Sequence, residues 1–323
     1  MRKHINKKMA IAVLCGGFEP ERESSFMTGK NVLKAVHEAG FLNSYILEVN
    51  TDVIHQLIQK KPDFAFISLF CKWGEDGVIQ GALETLGIPY SGSGVEASVL
   101  CKNKYIFSNF VRSVDLNSPK SFFFDSSKEL LEQYKSLISF PFIIKPARQG
   151  YSLGVCLIKN EKGLKSAAQA GFMYGSGIVI QEYIQGDEYS VGVVKTDKPE
   201  LEVLPIIEID LKGREIQDFD TKDDPTLIEE IIPARLEPSR YKAIQEQCIS
   251  LFKKLGCLGV SRFDIKVTAD ERIYFLENNT CPGIVSYENS YLPRQLDYAG
   301  YTLKDYVTFM IKSGYKRFSV EYS

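Results

Sequence analysis

The 323-residue chain is short of histidine, with only His4, His37 and His55, and it has a single tryptophan and five methionines. So few imidazoles argue against a zinc site and against a histidine general base. No charge of one sign dominates: the net charge is −2, with 25% charged and 44% hydrophobic residues. That balance gives no electrostatic case for nucleic acid or an anionic membrane as partner. No run approaches the roughly 18 apolar residues of a membrane span. The run Met9–Cys15 behind the basic MRKHINKK ends at Gly16-Gly17, too short and too strand-like for a signal peptide. The seven cysteines are scattered, odd in number and never form C-x-x-C, the pattern of reduced thiols. The expectation is a cytoplasmic protein.

What is present is alternation. Met9–Cys15 reads as a buried parallel strand ending in two glycines, and 25–39 as a helix stopped by Gly40. Strands at 44–49 and 63–70 flank a helix at 53–60, for which Asp52 is the predicted N-cap. GEDG then opens a helix to Leu86, followed by Ile88-Pro89-Tyr90 and SGSG. This is an open α/β unit whose strand-end loops gather at one edge, where such sheets bind ligands. From about Val95 the pattern changes. Helices are predicted over 95–111 and 126–137, then a strand at 140–145 ending in Lys145. The loop PARQGYSLG leads into a strand at 155–159; its Gly150, Ser152 and Gly154 allow backbone N–H groups to approach an anion, although it is not a Walker A sequence. A strand at 178–184 ends in Gln181-Glu182-Tyr183-Ile184, a turn at 186–188 follows, and then a β run at 189–194. The charge-dense stretch 212–226 reads as a surface loop able to act as a lid, and 238–255 and 301–312 as helices.

The most informative stretch is 261–286. Two β-rich runs, 262–267 and 272–277, flank Thr268-Ala269-Asp270-Glu271. A two-residue turn at Asp270-Glu271 puts Asp264 opposite Glu277, with Arg262 on the face of Asp264 and Asn279 on that of Glu277. Two carboxylates, an amide and a guanidinium on one face suit Mg²⁺ when phosphates complete its shell. By itself the same face also reads as a solvated Arg–Asp pair.

Four segments in chain order resemble the D-alanine–D-alanine ligase family of the ATP-grasp superfamily: GGFEPERESS, GEDGVIQGALETLGIPYSGSG, FPFIIKPARQGYSLGV, and GCLGVSRFDIKV with LENNTCPGIVS. The resemblance runs from about Met9 to Lys312. It implies an α/β (α+β overall) ATP-grasp fold of three domains: an N-terminal open parallel-sheet substrate domain (1–97), a central ATP-grasp subdomain (98–187) and a C-terminal metal-binding domain (188–323). It implies a homodimer, and an ADP-forming reaction in which a substrate carboxylate becomes an acyl phosphate that the amine of a second substrate attacks. The small-molecule partners are thus an amino-acid-like donor and an amine acceptor, and the cofactors ATP and two Mg²⁺, for which Mn²⁺ can substitute.

On the same resemblance Lys104 and Lys145 hold the ATP phosphates and Ser152 caps the transferred phosphoryl group. Glu182, Tyr183 and Ile184 face adenine, and Glu188 takes the ribose. Asp264, Glu277 and Asn279 hold the metal, while Arg262 and the Gly283 N–H stabilise the oxyanion. Glu21 holds the donor's ammonium group, and Lys222 is the lid lysine.

Departures from the family pattern fall in the substrate pockets. Phe70 and Cys71 stand for a His-Gly pair, Tyr151 for a serine, and Asp223 for the lid tyrosine. A gapless alignment also puts Glu288 where a serine receives the acceptor's carboxylate. Facing carboxylates repel, most strongly away from water. The leading expectation is therefore a ligase of this type with altered pockets, whose acceptor is not D-alanine. The alternatives are a D-alanine–D-alanine ligase serving peptidoglycan precursor synthesis, and a nucleotide-binding homologue without catalysis.

Overall fold

Strands buried on both faces must hand their backbone groups to neighbours, and the three apolar blocks of this chain do so in three separate sheets. The computed structural model describes residues 5–18, 20–175 and 177–321, and only the backbone at 222, 223, 225 and 321.

The first sheet comes from β1 (Ile11–Gly16), α1 (Arg22–Glu38), β2 (Tyr45–Val49), α2 (Val53–Lys60), β3 (Phe64–Ile67) and α3 (Val78–Thr85). Its order is β2-β1-β3, all parallel, with every β1 residue buried. Asp52 precedes α2 but makes no side-chain cap. The predicted strand at 63–70 stops at Ile67, and Cys71 and Trp73 beyond it take left-handed φ of 52° and 70°. In place of one helix over 95–111 there are two, α4 (Val95–Lys102) and α5 (Lys104–Ser113). Asn103 divides them in extended conformation, its side chain accepting from the N–H groups of Tyr105 and Ile106 as the cap of α5. Because α4 runs unbroken through 97–98, no linker lies there.

The second sheet is antiparallel, in order β4-β7-β5-β6, from β4 (Ser121–Phe124), α6 (Ser127–Leu137), β5 (Phe142–Pro146), β6 (Cys156–Ile158), α7 (Leu164–Met173) and β7 (Ile178–Glu182). β4 and α7 escape a periodicity reading because one is four residues long and the other, LKSAAQAGFM, is built of small side chains.

The third sheet runs β11-β10-β8-β12-β13, with β9 beside β8. It is made of β8 (Asp187–Val194), β9 (Glu202–Val203), β10 (Ile207–Asp210), α8 (Phe219–Asp223), β11 (Glu229–Ile231), α9 (Pro238–Lys254), β12 (Val260–Val267) and β13 (Ile273–Asn279). Asp187 and Glu188 thus begin a strand instead of forming the expected turn. Cys101 and Phe107 of α4 and α5, with Ile244 and Leu251 of α9, pack on Val191, Phe263 and Phe275 behind this sheet. α10 (Tyr291–Tyr298) and α11 (Leu303–Glu321) carry the chain back to the first sheet, where Val307 and Ile311 join Val13, Val32 and Phe66 in one core. All seven cysteines are free thiols, and no helix among the described residues is long and apolar enough to cross a membrane.

Two helical glycines make opposite predictions. A Cβ on Gly314 of α11 would stand 2.1 Å from the Tyr90 carbonyl, backbone that cannot yield, whereas one on Gly81 of α3 meets nothing nearer than Val95 Cγ2 at 3.8 Å. Gly314→Ala is expected to destabilise by about 1–3 kcal/mol and Gly81→Ala to stabilise by up to ~1 kcal/mol, read by denaturant unfolding.

Candidate active site

The second and third sheets enclose a cavity of about 110 Å³ lined by Lys104, Lys145, Ser152, Tyr183, Glu188 and Asp264, among others. Its chemistry depends on the β12–β13 register. Next to the turn Val267 pairs with Ile273, so the loop is one residue longer than a two-residue turn at Asp270-Glu271. A one-residue shift between Asp264 and Ile265 then inserts Leu276 as a β-bulge. Beyond it Asp264 lies opposite Glu277 and Arg262 opposite Asn279. The bulge lets Leu276 and Glu277, neighbours in sequence, both line the cavity. Asn278 points the other way and donates to Cys101 Sγ (3.1 Å) and Cys257 Sγ (3.4 Å), anchoring the strand from behind.

On the cavity face Arg262 grips Asp264 through two bonds, Nε to Oδ1 at 3.0 Å and a terminal nitrogen to Oδ2 at 2.9 Å. Ser190 Oγ also donates to Oδ1 (3.0 Å) and Asn279 Nδ2 to Oδ2 (3.3 Å). Burial opposes the Arg262 charge, but Asp264 outweighs it and holds the guanidinium firmly protonated. Lys104, at the start of α5, lies 3.4 Å from Glu277 and donates to the Gln149 carbonyl. Lys145, at the end of β5, is equally buried. Desolvation first, and then the neighbouring Lys104 charge, lower its ammonium from 10.5 to about 8. Two cations are therefore confined side by side in a place that a polyanion would relieve.

At the other end of the cavity Glu188 faces Lys266 at 3.8 Å, and the Lys266 ammonium lies over the Tyr183 ring. The Glu182 N–H is taken by the Lys120 carbonyl, and Glu182 lines the pocket together with Tyr183 and Ile184. Residues 215–219 close over this space. Ser152 Oγ donates to the Gln217 carbonyl (3.2 Å), the Tyr183 hydroxyl donates to the Glu215 carbonyl (3.2 Å), and the Tyr151 ring meets Phe219 edge-on. Tyr151 and Ser152 both hold left-handed φ, 52° and 53°, and Gly154 follows at 71°. Lys222 and Asp223 belong to α8, but their side chains lie outside those the structure describes.

The residues expected to meet the substrates come from the first sheet and the 280–290 loop. Glu21 immediately precedes α1, and Ser25 ties that helix down by accepting from the Gly16 N–H and donating to the Ser68 carbonyl. Gly150 lies so close that a Cβ there would be 2.7 Å from Glu21 Oε1 and 3.0 Å from Cys71 Sγ. The loop after β13 docks on the same helix: Thr28 Oγ1 accepts from the Ile284 N–H, and Asn31 donates to the carbonyls of Ile284 and Val285. Gly283 is thereby set against the Phe70 ring, and its N–H finds no acceptor among the described residues. Glu288 is exposed in the turn before α10, whereas Ser290, at the N-terminus of that helix, is buried and accepts from the Val285 N–H (2.9 Å).

Residues 114–312 match the family model described as the D-ala D-ala ligase C-terminus. The chain is 36% identical over 302 residues to a D-alanine–D-alanine ligase of Geotalea uraniireducens, covering 93% of this chain and 94% of that protein. The chain belongs to the D-alanine–D-alanine ligase family. It is an ATP-dependent, ADP-forming ligase of the ATP-grasp fold. The ATP-complexed crystal structure of a Bacillus anthracis D-alanine–D-alanine ligase superposes with a TM-score of 0.81 at 28% identity, covering 97% and 99% of the two chains. A D-Ala:D-Ser ligase of Enterococcus faecalis gives 0.76 at 25% identity, covering 94% and 99%.

Several residues of this ligase's site were not anticipated. Lys266 shares the β12 face of Arg262 and Asp264, so strict alternation along that strand would have exposed it. Ser190 and Gln217 carry no local signal, because they reach the site through strand pairing and loop closure.

A lysine held near 8 when its ordinary value is 10.5 binds fewer protons folded than unfolded between those values. The free ligase should therefore gain stability as pH rises through that window, and Lys145→Met should abolish the gain. Nucleotide phosphates restore the charge, so calorimetry in buffers of different ionisation enthalpy should find proton uptake on ATP binding near pH 8 that fades toward pH 6 and is absent in Lys145→Met.

Proposed function

We propose that this ligase joins two molecules of D-alanine, with ATP hydrolysed to ADP and phosphate. The observation that carries this reading is the 283–290 turn, in which the buried hydroxyl of Ser290, and not the exposed carboxylate of Glu288, stands at the N-terminus of α10. An exposed Glu288 weakens the charge argument against a D-alanine acceptor. The naming of curated relatives over nearly the whole chain supports the same substrate.

The donor set suits Mg·ATP. Two buried lysines match phosphate oxygens, and Asp264 and Glu277 face the same cavity from paired positions with Asn279 beside Asp264. The described residues gather no cluster of three or more histidine, cysteine or acidic ligands, so a cation here relies on oxygens brought by the phosphates themselves. Mg·ATP, when bound, supplies the phosphoryl group that activates the donor carboxylate, its divalent cation neutralising the phosphate oxygens.

The protein's own groups do the rest. Lys104 and Lys145 orient the phosphates, and Ser152 with the lid contact to Gln217 keeps water from the transferred group. Tyr183, Ile184 and Glu188 form the nucleoside end of the cavity. Glu21 fixes the donor's ammonium group. The Gly283 N–H and Arg262 are donors for the oxyanion that develops when the amine adds, each worth roughly 3–4 kcal/mol in such a role. We take the three sheets as the centres of three domains, with α4 and α5 belonging to the third sheet's core.

A second reading, a donor or acceptor other than D-alanine, is favoured by the Phe70 ring against Gly283 and the Cys71 thiol against Glu21, where the family has His-Gly. Phosphate release with Mg·ATP and D- and L-amino acids, singly and paired, with mass detection of products, separates the two. D-alanine alone is expected to yield its dipeptide with one phosphate per bond formed; turnover confined to another pair would overturn the first reading. Arg262→Lys, which loses the planar double bond to Asp264, is expected to lower kcat by about 100-fold or more while ATP still binds.

A further inference from the structure

Behind Glu21 lies a buried group of charges that the reaction as described does not use. Lys102, the last residue of α4, donates to Glu75 Oε2 at 2.9 Å and to Cys71 Sγ at 3.1 Å. The Lys102 and Glu75 side chains are only 10% and 8% exposed. Glu75 Oε2 also accepts from the Cys71 N–H at 2.9 Å, which pins Cys71 in its left-handed conformation at φ 52°. The thiol in turn touches Glu21, and Gly150 closes the space over both.

Donor and acceptor counting gives this contact a direction. An ammonium only donates, so the sulfur must accept from Lys102. The thiol remains protonated at neutral pH, since burial first and the carboxylates of Glu21 and Glu75 next push it up to about 12 against the pull of Lys102. Its one hydrogen is then left for its other side-chain hydrogen-bond partner, the Glu21 carboxylate. Burial works against Lys102 as well, yet Glu75 and Cys71 outweigh it and keep its charge.

We infer that Cys71, held by the buried Lys102–Glu75 pair, is a positioning residue that aims the Glu21 carboxylate at the donor's ammonium group. The inference rests on the reading above that Glu21 receives that group. It assigns a task to a cysteine standing where the family has glycine, and to a buried lysine otherwise without one.

Two measurements test it, one of them independent of turnover. The first follows alkylation of Cys71 by iodoacetamide, by peptide mass spectrometry across pH. Glu21→Gln should speed the reaction by removing a charge that disfavours thiolate, and Lys102→Met should slow it. Mere loosening of the packing would speed both, and that result, or no change in either, overturns the relay. The second is steady-state kinetics with D-alanine or, if the wild type does not turn it over, with whichever amino acid of the panel releases phosphate. Cys71→Ala should raise the donor KM roughly five- to thirtyfold, with kcat and the ATP KM little changed, and Cys71→Ser, which keeps a donor, should restore it. An unchanged donor KM in Cys71→Ala, or equal losses in Ala and Ser, overturns the positioning role. A wild type silent with D-alanine while the alkylation rates move in opposite directions counts against the proposed substrate and not against the relay.

Discussion

One inserted residue governs this site. Side chains alternate along a strand, so an uninterrupted β13 paired from Val267–Ile273 would bring Leu276, not Glu277, opposite Asp264. Glu277 and Asn279 would then face the helices behind the sheet, and Asn278 the cavity. The bulge at Leu276 reverses the alternation where the chain passes from apolar support to polar site. Asn278, bonded to Cys101 and Cys257, keeps it reversed. The oxygen face shared with Arg262 and Ser190 follows from that shift.

A second dependence is electrostatic. Lys104 and Lys145 are buried together, and Asp264 is shared by a guanidinium, a hydroxyl and an amide. Charges in so little water are tolerated only when paired. Glu277 partly offsets the lysines, but the two ammonium groups still work against each other, as the lowered Lys145 shows. The cleft thus suits a polyanion, and the same groups bear on folding stability.

The parts proposed to handle amino acids are assembled across elements far apart in sequence. Thr28 and Asn31 of α1 hold the 284–285 backbone, and Gly150 of the second sheet's loop abuts Glu21 and Cys71. Nothing local foretells such contacts. Counting without a gap from Gly283 likewise takes no account of the turn that exposes Glu288 and buries Ser290.

Much was nevertheless legible beforehand. The parallel βα alternation through 9–86, the hairpin at 262–277 with Asp264 facing Glu277, and the lysine at the end of β5 were readable from residue type and period, because strand alternation and turn chemistry are properties of neighbouring residues. The Asp264–Glu277 pairing was reached through a two-residue turn, while the fold uses a longer turn and a compensating bulge. The break at Asn103 was missed because apolar periodicity carries across it. What only the tertiary structure decided is which groups share a cavity: Lys266 with Glu188, Ser152 with Gln217, Lys102 with Cys71, and Glu21 with Gly150. Those pairings depend on how three sheets pack, and packing is set by the shape of whole cores and not by the order of residues along the chain.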